Sequence, residues 1–401
     1  MNANIMVFVM YGILYESMFN MYRPFAVKFL ERVGGTQMHI SLFFALPGLV
    51  AAFVLLPGSL FLCRMRLKKN VTTVLFLCSR TLILALAFIP WMPAHVRPIV
   101  FVSVIAVMNL PEALAQTSLQ SFLGAVFPGA VRARAIALRN QFGHMFILIV
   151  SLLTGMALSY LPRNEEQRMV FYQTFFVLAF CVGLAEIFVF RKFREDPLEQ
   201  KEQEKPNLSD VKKALSHKPF RLFLCTTILF QFAWQAGWPL TSVYQIEVIH
   251  STEIWFALYT VTGGLGAFFA AGFWNRTINK RGNPHTLVIA GLLMSLNMLF
   301  IAIAPNELTM ALACLFGGFA TIGLVTALLN GTLAATPDHN RIIYLGIYNT
   351  CTNLSLFLSP LFASALMTLF TVQQSLLIVV GLRLACTGAL VIAARKTMRL
   401  D

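Results

Sequence analysis

The stretch Arg191–Arg221, RKFREDPLEQKEQEKPNLSDVKKALSHKPFR, decides how the rest of the chain reads. It holds nine Lys/Arg and six Asp/Glu, about a third of all the charge in the protein. Residues 1–190 before it and 222–401 after it are almost unbroken apolar sequence. A charged, solvated, helix-prone linker between two apolar blocks of similar size points to two membrane-embedded halves joined on one side of a bilayer. A surface loop of a water-soluble protein would not have such flanks.

Composition agrees. Of 401 residues 58% are hydrophobic and 12% are charged, and mean hydropathy is +0.72. A soluble domain carries about twice that charge. Thirty-six Phe and 17 Met would drive aggregation in water. The length accommodates about a dozen spans of ~20 residues plus loops. The net charge of +14 does not mark a nucleic-acid binder, because Lys and Arg sit in short clusters between apolar runs and not on one basic face. The seven cysteines lie almost all inside apolar runs and lack metal-type spacing, so neither a disulfide framework nor a metal site is expected. No cleavable leader is expected, since the first apolar run continues into polar and charged positions.

Twelve apolar segments can be counted, at 3–27, 38–62, 71–91, 98–122, 137–160, 170–192, 218–244, 254–275, 285–305, 308–332, 342–370 and 374–394. A spanning segment must satisfy its own backbone, so each is expected to be a helix. The expected architecture is an all-α polytopic membrane protein of twelve transmembrane helices in two pseudo-symmetric six-helix bundles. Its parts are an N-terminal bundle over 1–192, a linker over 193–217 and a C-terminal bundle over 218–401. Arg and Lys set the orientation. One set of loops, including Arg132, Arg134, Arg139 and the linker, carries 23 of them; the opposite set, Arg23, Lys28, Arg32, Arg97, Arg163 and Arg168, carries six. Arg80 and Arg383 lie within spans. The bias puts both termini and the linker in the cytoplasm.

The halves echo each other. Glu16, Phe19, Asn20 and Pro24 of the first span recur as Gln231, Trp234, Gln235 and Pro239, each 215 residues on. Pro128, Arg132 and Asn140 recur as Pro337, Arg341 and Asn349, each 209 residues on, and His144 maps to Asn353. Two registers in the expected order indicate an internal duplication, which in membrane transporters places the site between repeats.

The 6 + 6 plan, the central charged linker, the repeat and the basic loops after the second and eighth spans resemble the major facilitator superfamily over essentially the whole chain. In that family the loop after the second span reads G-x-x-x-D-R-x-G-R-R/K. Here Gly58 and Arg66 fit, and Leu62 stands at the Asp position. The second copy has Asn279 at the Asp position, followed by Lys280 and Gly282. The resemblance implies gating roles for Gly58, Arg66, Asn279, Lys280 and Gly282, and loop anchoring or gating for Arg132 and Arg341. The antiporter pattern G-x-x-x-G-P-x-x-G-G is absent from the fifth span, where Gly143 is followed by His-Met-Phe-Ile-Leu.

Polar groups inside spans are costly and tend to mark function. Glu16, Asn20 and Arg23 fall at i, i+4 and i+7, one helix face, with Tyr15 and Phe19 beside them. Asn109, Glu112, Gln116 and Gln120 form a stripe of about 16 Å on the fourth span. Asn140 and His144 lie on the fifth span, Gln231, Trp234, Gln235 and Trp238 on the seventh, and Tyr348, Asn349 and Asn353 on the eleventh. The resemblance puts all these spans at or near a central cavity. Glu112, Glu16 and His144 are the proton-coupling candidates, and Glu112 leads because Asn109 and Gln116 flank it. Phe19, Asn20, Arg23, Asn109, Gln116, Gln231, Trp234, Gln235, Trp238, Asn349 and Asn353 are the substrate-cavity candidates. Glu186 and Arg383 are expected to form a peripheral pair between the sixth and twelfth spans.

The expected function is secondary active transport of a small organic solute by alternating access, coupled to protons, with export of an amphipathic or cationic compound ahead of proton-coupled uptake of a sugar or organic acid. No nucleotide-binding G-x-x-x-x-G-K-[ST] supports a pump. A membrane-embedded transferase would need clustered His, Asp or Glu at a loop edge, and a transporter-like receptor would need no charges in spans. The expected partners are a small-molecule substrate and the lipid bilayer, with no nucleic acid, no cofactor beyond the proton gradient, no metal, and a monomer in a bacterial inner membrane. Reporter fusions check the topology: alkaline phosphatase should be active after Thr36 and inactive after Arg64 and Lys205. An active fusion at Lys205 would overturn the orientation.

Overall fold

The computed structural model describes residues 3–63, 68–127, 129–193, 208–336 and 341–397. Every regular element among them is helical. In chain order they are α1 (Ala3–Asn20), α2 (Ala26–Arg32), α3 (Gln37–Cys63), α4 (Lys68–Leu86), α5 (Arg97–Val126), α6 (Gly129–Tyr160), α7 (Glu165–Phe190), α8 (Leu208–Ser216), α9 (Lys218–Val243), α10 (Glu253–Arg281), α11 (Asn283–Ala302), α12 (Glu307–Ala335), α13 (Arg341–Leu369) and α14 (Val372–Thr397). Boundaries follow local chemistry. Pro98, Pro219 and Pro284 open helices in the first turn, where a missing N–H costs nothing. Asn164 and Asn306 cap α7 and α12 by accepting from Gln167 N and Thr309 N. Gly282, at φ +79°, makes the tight passage from α10 to α11.

Ten helical segments are long and apolar enough to cross a membrane, the first being Asn4–Arg32, which runs through α1 and α2. With α3 and α9 the described long helices number twelve, as the apolar pattern implied. Helix α9 carries Lys218, Arg221, Gln231, Gln235 and paired threonines among its apolar residues. Phe53, Phe268, Phe269 and Leu369 are 71–76% exposed, an outward apolar surface that suits lipid and not water. One expectation fails locally. Arg23 does not continue the face of Glu16 and Asn20, because α1 stops at Asn20 and a short 3-10 turn, Arg23–Phe25, intervenes at Pro24.

Packing divides the chain into two compact units. The first contains 1–39, 53–203 and 252–261; the second contains 40–52, 204–251 and 262–401. This differs from a cut at the linker in two places, the middle of α3 and the first turns of α10. Within the first unit α1 lies against α6 and α7, and α4 lies against α5 and α7. Within the second, α9 lies against α13 and α14, and α11 lies against α12 and α14. The neighbour relations are the same when α1, α4, α5, α6 and α7 are read as α9, α11, α12, α13 and α14. The duplication seen in the sequence is thus a duplication of packing. An aromatic cluster of Phe8, Tyr11, Phe76, Phe122, Phe190 and Phe193 fills the first unit, and Phe230, Trp274, Met294 and Leu324 lie in the core of the second.

Small residues set the closest approaches. A Cβ on Gly318 would collide with the backbone of Gly263, and one on Gly266 with the Leu315 carbonyl. Backbone cannot step aside as a side-chain tip can. Gly318→Ala should therefore destabilise by about 1–3 kcal/mol through overpacking, read as a lowered Tm of the detergent-solubilised protein. Gly272→Ala, where nothing lies within 4 Å, should leave Tm unchanged.

Candidate functional site

The polar groups of the first unit converge from four helices. Glu16 on α1 pairs with Arg139 on α6 at 3.0 Å, and both side chains are about four-fifths buried. Glycines on each helix make room: a Cβ on Gly12 would strike the Arg139 side chain, and one on Gly143 would sit 3.1 Å from Glu16 Cγ. One turn further, Asn20 accepts from Ser151 Oγ at 3.3 Å. Arg139 was grouped with the loop residues on sequence; the structure places it on a helix, with its guanidinium 5.5 Å from the centre of the Tyr15 ring.

Behind Tyr15 lies a second cluster. Arg80, fully buried on α4, donates from Nε and Nη2 to the two carboxylate oxygens of Glu186 on α7, each at 3.0 Å. Its Nη1 donates to Glu112 on α5 at 2.5 Å. Glu112 also accepts from Tyr15 Oη at 3.1 Å, Ser79 Oγ at 2.9 Å and Gln116 Nε2 at 2.9 Å. Phe19, Tyr15 and Phe76 surround the guanidinium with ring centres 5.0–5.7 Å away. One buried cation thus serves two carboxylates, which leaves one negative charge in excess when both are ionised. The expected Glu186–Arg383 pair does not form. Helix α7 packs against α4, which brings Glu186 to Arg80.

In the second unit Gln231 donates to Tyr348 Oη at 2.7 Å and lies 3.4 Å from Thr352 Oγ1. Ser355 Oγ donates to Gln235 Oε1 at 2.9 Å. The first of these repeats a contact of the first unit. Gln231 is Glu16 moved by 215 positions and Tyr348 is Arg139 moved by 209, so an ion pair in one copy is a neutral hydrogen bond in the other. Trp234 and Trp238 meet edge-on at 5.7 Å between ring centres. Both line a cavity of about 290 Å³ with Phe44, Asn297, Met298 and Arg383.

The remaining candidates scatter. His144 is exposed, with Nδ1 2.6 Å from the Asn140 carbonyl. Asn349 is exposed, and Asn353 bonds back to its carbonyl at 2.9 Å. Asn109 is half-buried and Arg23 exposed. Arg132 closes onto the Phe127 carbonyl at 3.0 Å. Asn279 and Lys280 are exposed in the last turns of α10, just before Gly282. Gly58 lies in α3 and Arg341 begins α13, whereas Arg66 falls outside the described residues. One polar cluster was not anticipated. Arg32, at the end of α2, donates to Glu253 at 2.6 Å and to Glu165 at 2.5 Å, and Tyr172 donates to Glu253 at 3.1 Å. Glu253 is almost fully buried although it opens α10. These residues are up to 221 positions apart, too far for a local pattern to link them.

The profile of the Major Facilitator Superfamily matches residues 7–360. The chain belongs to this superfamily. It is a multi-pass membrane protein and a secondary transporter. Solved transporters share the fold at low identity. The nucleoside transporter NupG aligns at TM-score 0.70 and 11% identity, covering 98% of this chain and 99% of its own. A bacterial homologue of the human lysosomal transporter Spinster, in an inward-facing and unoccupied conformation, aligns at 0.69 and 13%, covering 98% and 97%. A POT family transporter in complex with a thioalcohol-conjugated peptide aligns at 0.73 and 11%, covering 98% and 96%. No curated protein matches in sequence.

Within this superfamily fold the Arg80 cluster makes a stability prediction. Removing the cation strands two buried carboxylates, so Arg80→Met should cost about 3–5 kcal/mol. Glu186→Gln removes the excess charge and should cost clearly less. The order of Tm values in detergent checks this, and equal losses would contradict the charge count.

Proposed function

We propose that this transporter couples solute movement to protons, and that the coupling proton is held on the Glu112–Arg80–Glu186 triad. The observation that carries the reading is two buried carboxylates sharing one guanidinium. Burying a net charge in a low-dielectric core is expensive, and one bound proton removes it. Glu186 is fully enclosed, while Glu112 keeps a small exposure, so Glu112 is the member through which the proton enters and leaves. Glu16 and Arg139 already balance one another, which suits Glu16 to anchoring solute or to holding the α1–α6 seam. His144 lies in the open and supports neither role as directly.

The aromatic cavity of the second unit supports an amphipathic solute. The acids that motivated a cationic solute are each paired with arginine, which weakens that choice. Export is the first reading of direction. Uptake of an organic acid together with a proton is the second, favoured by the unbalanced charge of Arg383 beside the cavity. The charge bias of the loops supports cytoplasmic termini, and the reading is completed by a monomer in a bacterial inner membrane.

The test uses proteoliposomes loaded with candidate solutes, with and without a proton gradient. Glu112→Gln should abolish gradient-driven accumulation while solute exchange persists, and Glu16→Gln should weaken binding instead. Normal concentrative transport by a folded Glu112→Gln variant would remove Glu112 from the coupling step.

A further inference from the structure

Arg383 is 98% removed from solvent by its 2% residual exposure, and it lies in the middle of an apolar helix. Its three nitrogens donate to backbone carbonyls: Nε to Ala233 at 3.1 Å, Nη1 to Met294 at 3.0 Å and Nη2 to Trp234 at 2.7 Å. Among the described residues no carboxylate pairs with it. Carbonyl dipoles satisfy three of five N–H groups but do not cancel the charge. Desolvating a lone cation is costly, so a fold that keeps one needs either a structural or a ligand-binding reason. Hydrophobic side chains would hold α9, α11 and α14 together more cheaply.

The surroundings favour a ligand. Arg383 borders the 290 Å³ cavity, whose walls combine Trp234, Trp238 and Phe44 with the polar Thr241 and Asn297. An apolar aromatic pocket with a few convergent polar groups is the usual make-up of a small-molecule site. Gly237 completes the fit, since a Cβ there would collide with Nη2 of Arg383. The two N–H groups left over by the carbonyls belong to the terminal nitrogens, the pair that meets a carboxylate in a fork.

We infer that the cavity between α9, α11 and α14 binds an organic carboxylate through Arg383, with the aromatic body of the solute held against Trp234 and Trp238. The inference rests on the reading of this cavity as the solute site and adds the chemical class of the solute. It reverses the expectation that Arg383 serves only a peripheral ion pair. The cavity volume suits a one- or two-ring acid better than a peptide or a sugar conjugate.

Calorimetric titration of the purified full-length protein tests it, using phenylacetate, indoleacetate and naphthoate, each against its neutral amide. At least one acid should bind about tenfold more tightly than its amide, the fold expected when a charge-assisted hydrogen bond is worth about 1.5 kcal/mol or more. Arg383→Met should bring acid and amide together, and Arg383→Lys should restore part of the preference. Because Arg383→Met also strips three carbonyls of their donor, a second measurement is independent of it. In Thr241→Cys, the preferred acid should slow modification of the new thiol by a polar methanethiosulfonate, read by peptide mass spectrometry, and its amide should not. Absence of any acid preference in the wild type, a preference that survives in folded Arg383→Met, or acid binding that leaves position 241 unprotected would each overturn the inference. Flux of the same compounds in proteoliposomes separates the two readings. Acid binding without flux removes the transport reading and keeps this site, whereas flux of neutral solutes without acid preference does the reverse.

Discussion

A guanidinium inside a membrane protein must be compensated where it stands, and this fold is arranged around two of them. Arg80 and Arg383 each lie in the core of their own unit. Arg80 on α4 bonds across to α7 and lies near the Tyr15 and Phe19 rings of α1. Arg383 on α14 bonds across to α11 and α9. Under the internal repeat, α1, α4 and α7 correspond to α9, α11 and α14. The same three-helix core therefore holds one arginine in each copy, supplied from opposite helices. Each rests against a glycine, Gly183 for Arg80 and Gly237 for Arg383, because a side chain there would displace the guanidinium or its stem.

The compensation differs, and so does the chemistry it permits. Two carboxylates around Arg80 tie α4, α5 and α7 together with charge-assisted bonds, which are short and strong when dry. They also leave the cluster one proton away from neutrality. Three carbonyls around Arg383 tie α9, α11 and α14 together without neutralising anything. The seam between α1 and α6 repeats the contrast with the seam between α9 and α13. Glu16–Arg139 is an ion pair where Gln231–Tyr348 is neutral, while Asn20 and Gln235 each bond a serine, Ser151 and Ser355, that does not fall at the same repeat position. Duplication kept the position of the Glu16–Arg139 contact and let its charge diverge.

Much of this was legible in the sequence. Apolar segments recur along the chain and the charged linker stands out against them, so hydropathy reports both, and the echo is read directly from the matched residues. The echo even identified Glu16, Asn20, Gln231 and Gln235, which do face corresponding helices in the two units. What failed was pairing. Arg139 looked like a loop residue because it follows Arg132 and Arg134, yet α6 begins at Gly129 and carries it inward. Sequence does not say which of the two span-borne arginines, Arg80 or Arg383, meets Glu186; packing of α4 on α7 gives it Arg80. Arg23 fell off its helix face because Pro24 interrupts the hydrogen-bond ladder. The Arg32–Glu253–Tyr172 cluster joins residues whose meeting depends on how α10 enters the first unit, and no local spacing encodes that.

Charge balance also bears on direction. With the triad deprotonated and the Arg383 cavity without an anion, the first unit buries an extra negative charge and the second an extra positive one. A proton on the triad removes the first, and a carboxylate at Arg383 removes the second. Each loading step then relieves a desolvation cost within its own unit. Rearrangement of helices within the bilayer is easiest for the state that buries least net charge. On this count the state carrying both proton and acid is the one best suited to cross over, and a state carrying only one of them is penalised. Under the proposed proton and acid sites, that ordering is what co-transport would require. An exporter working by exchange would instead need the proton-loaded and solute-loaded forms to cross separately, each with one buried charge unrelieved. The aromatic cavity accommodates either direction, so on the proposed function export stays the first reading and the charge count is what supports the second, a proton and an organic acid taken up together.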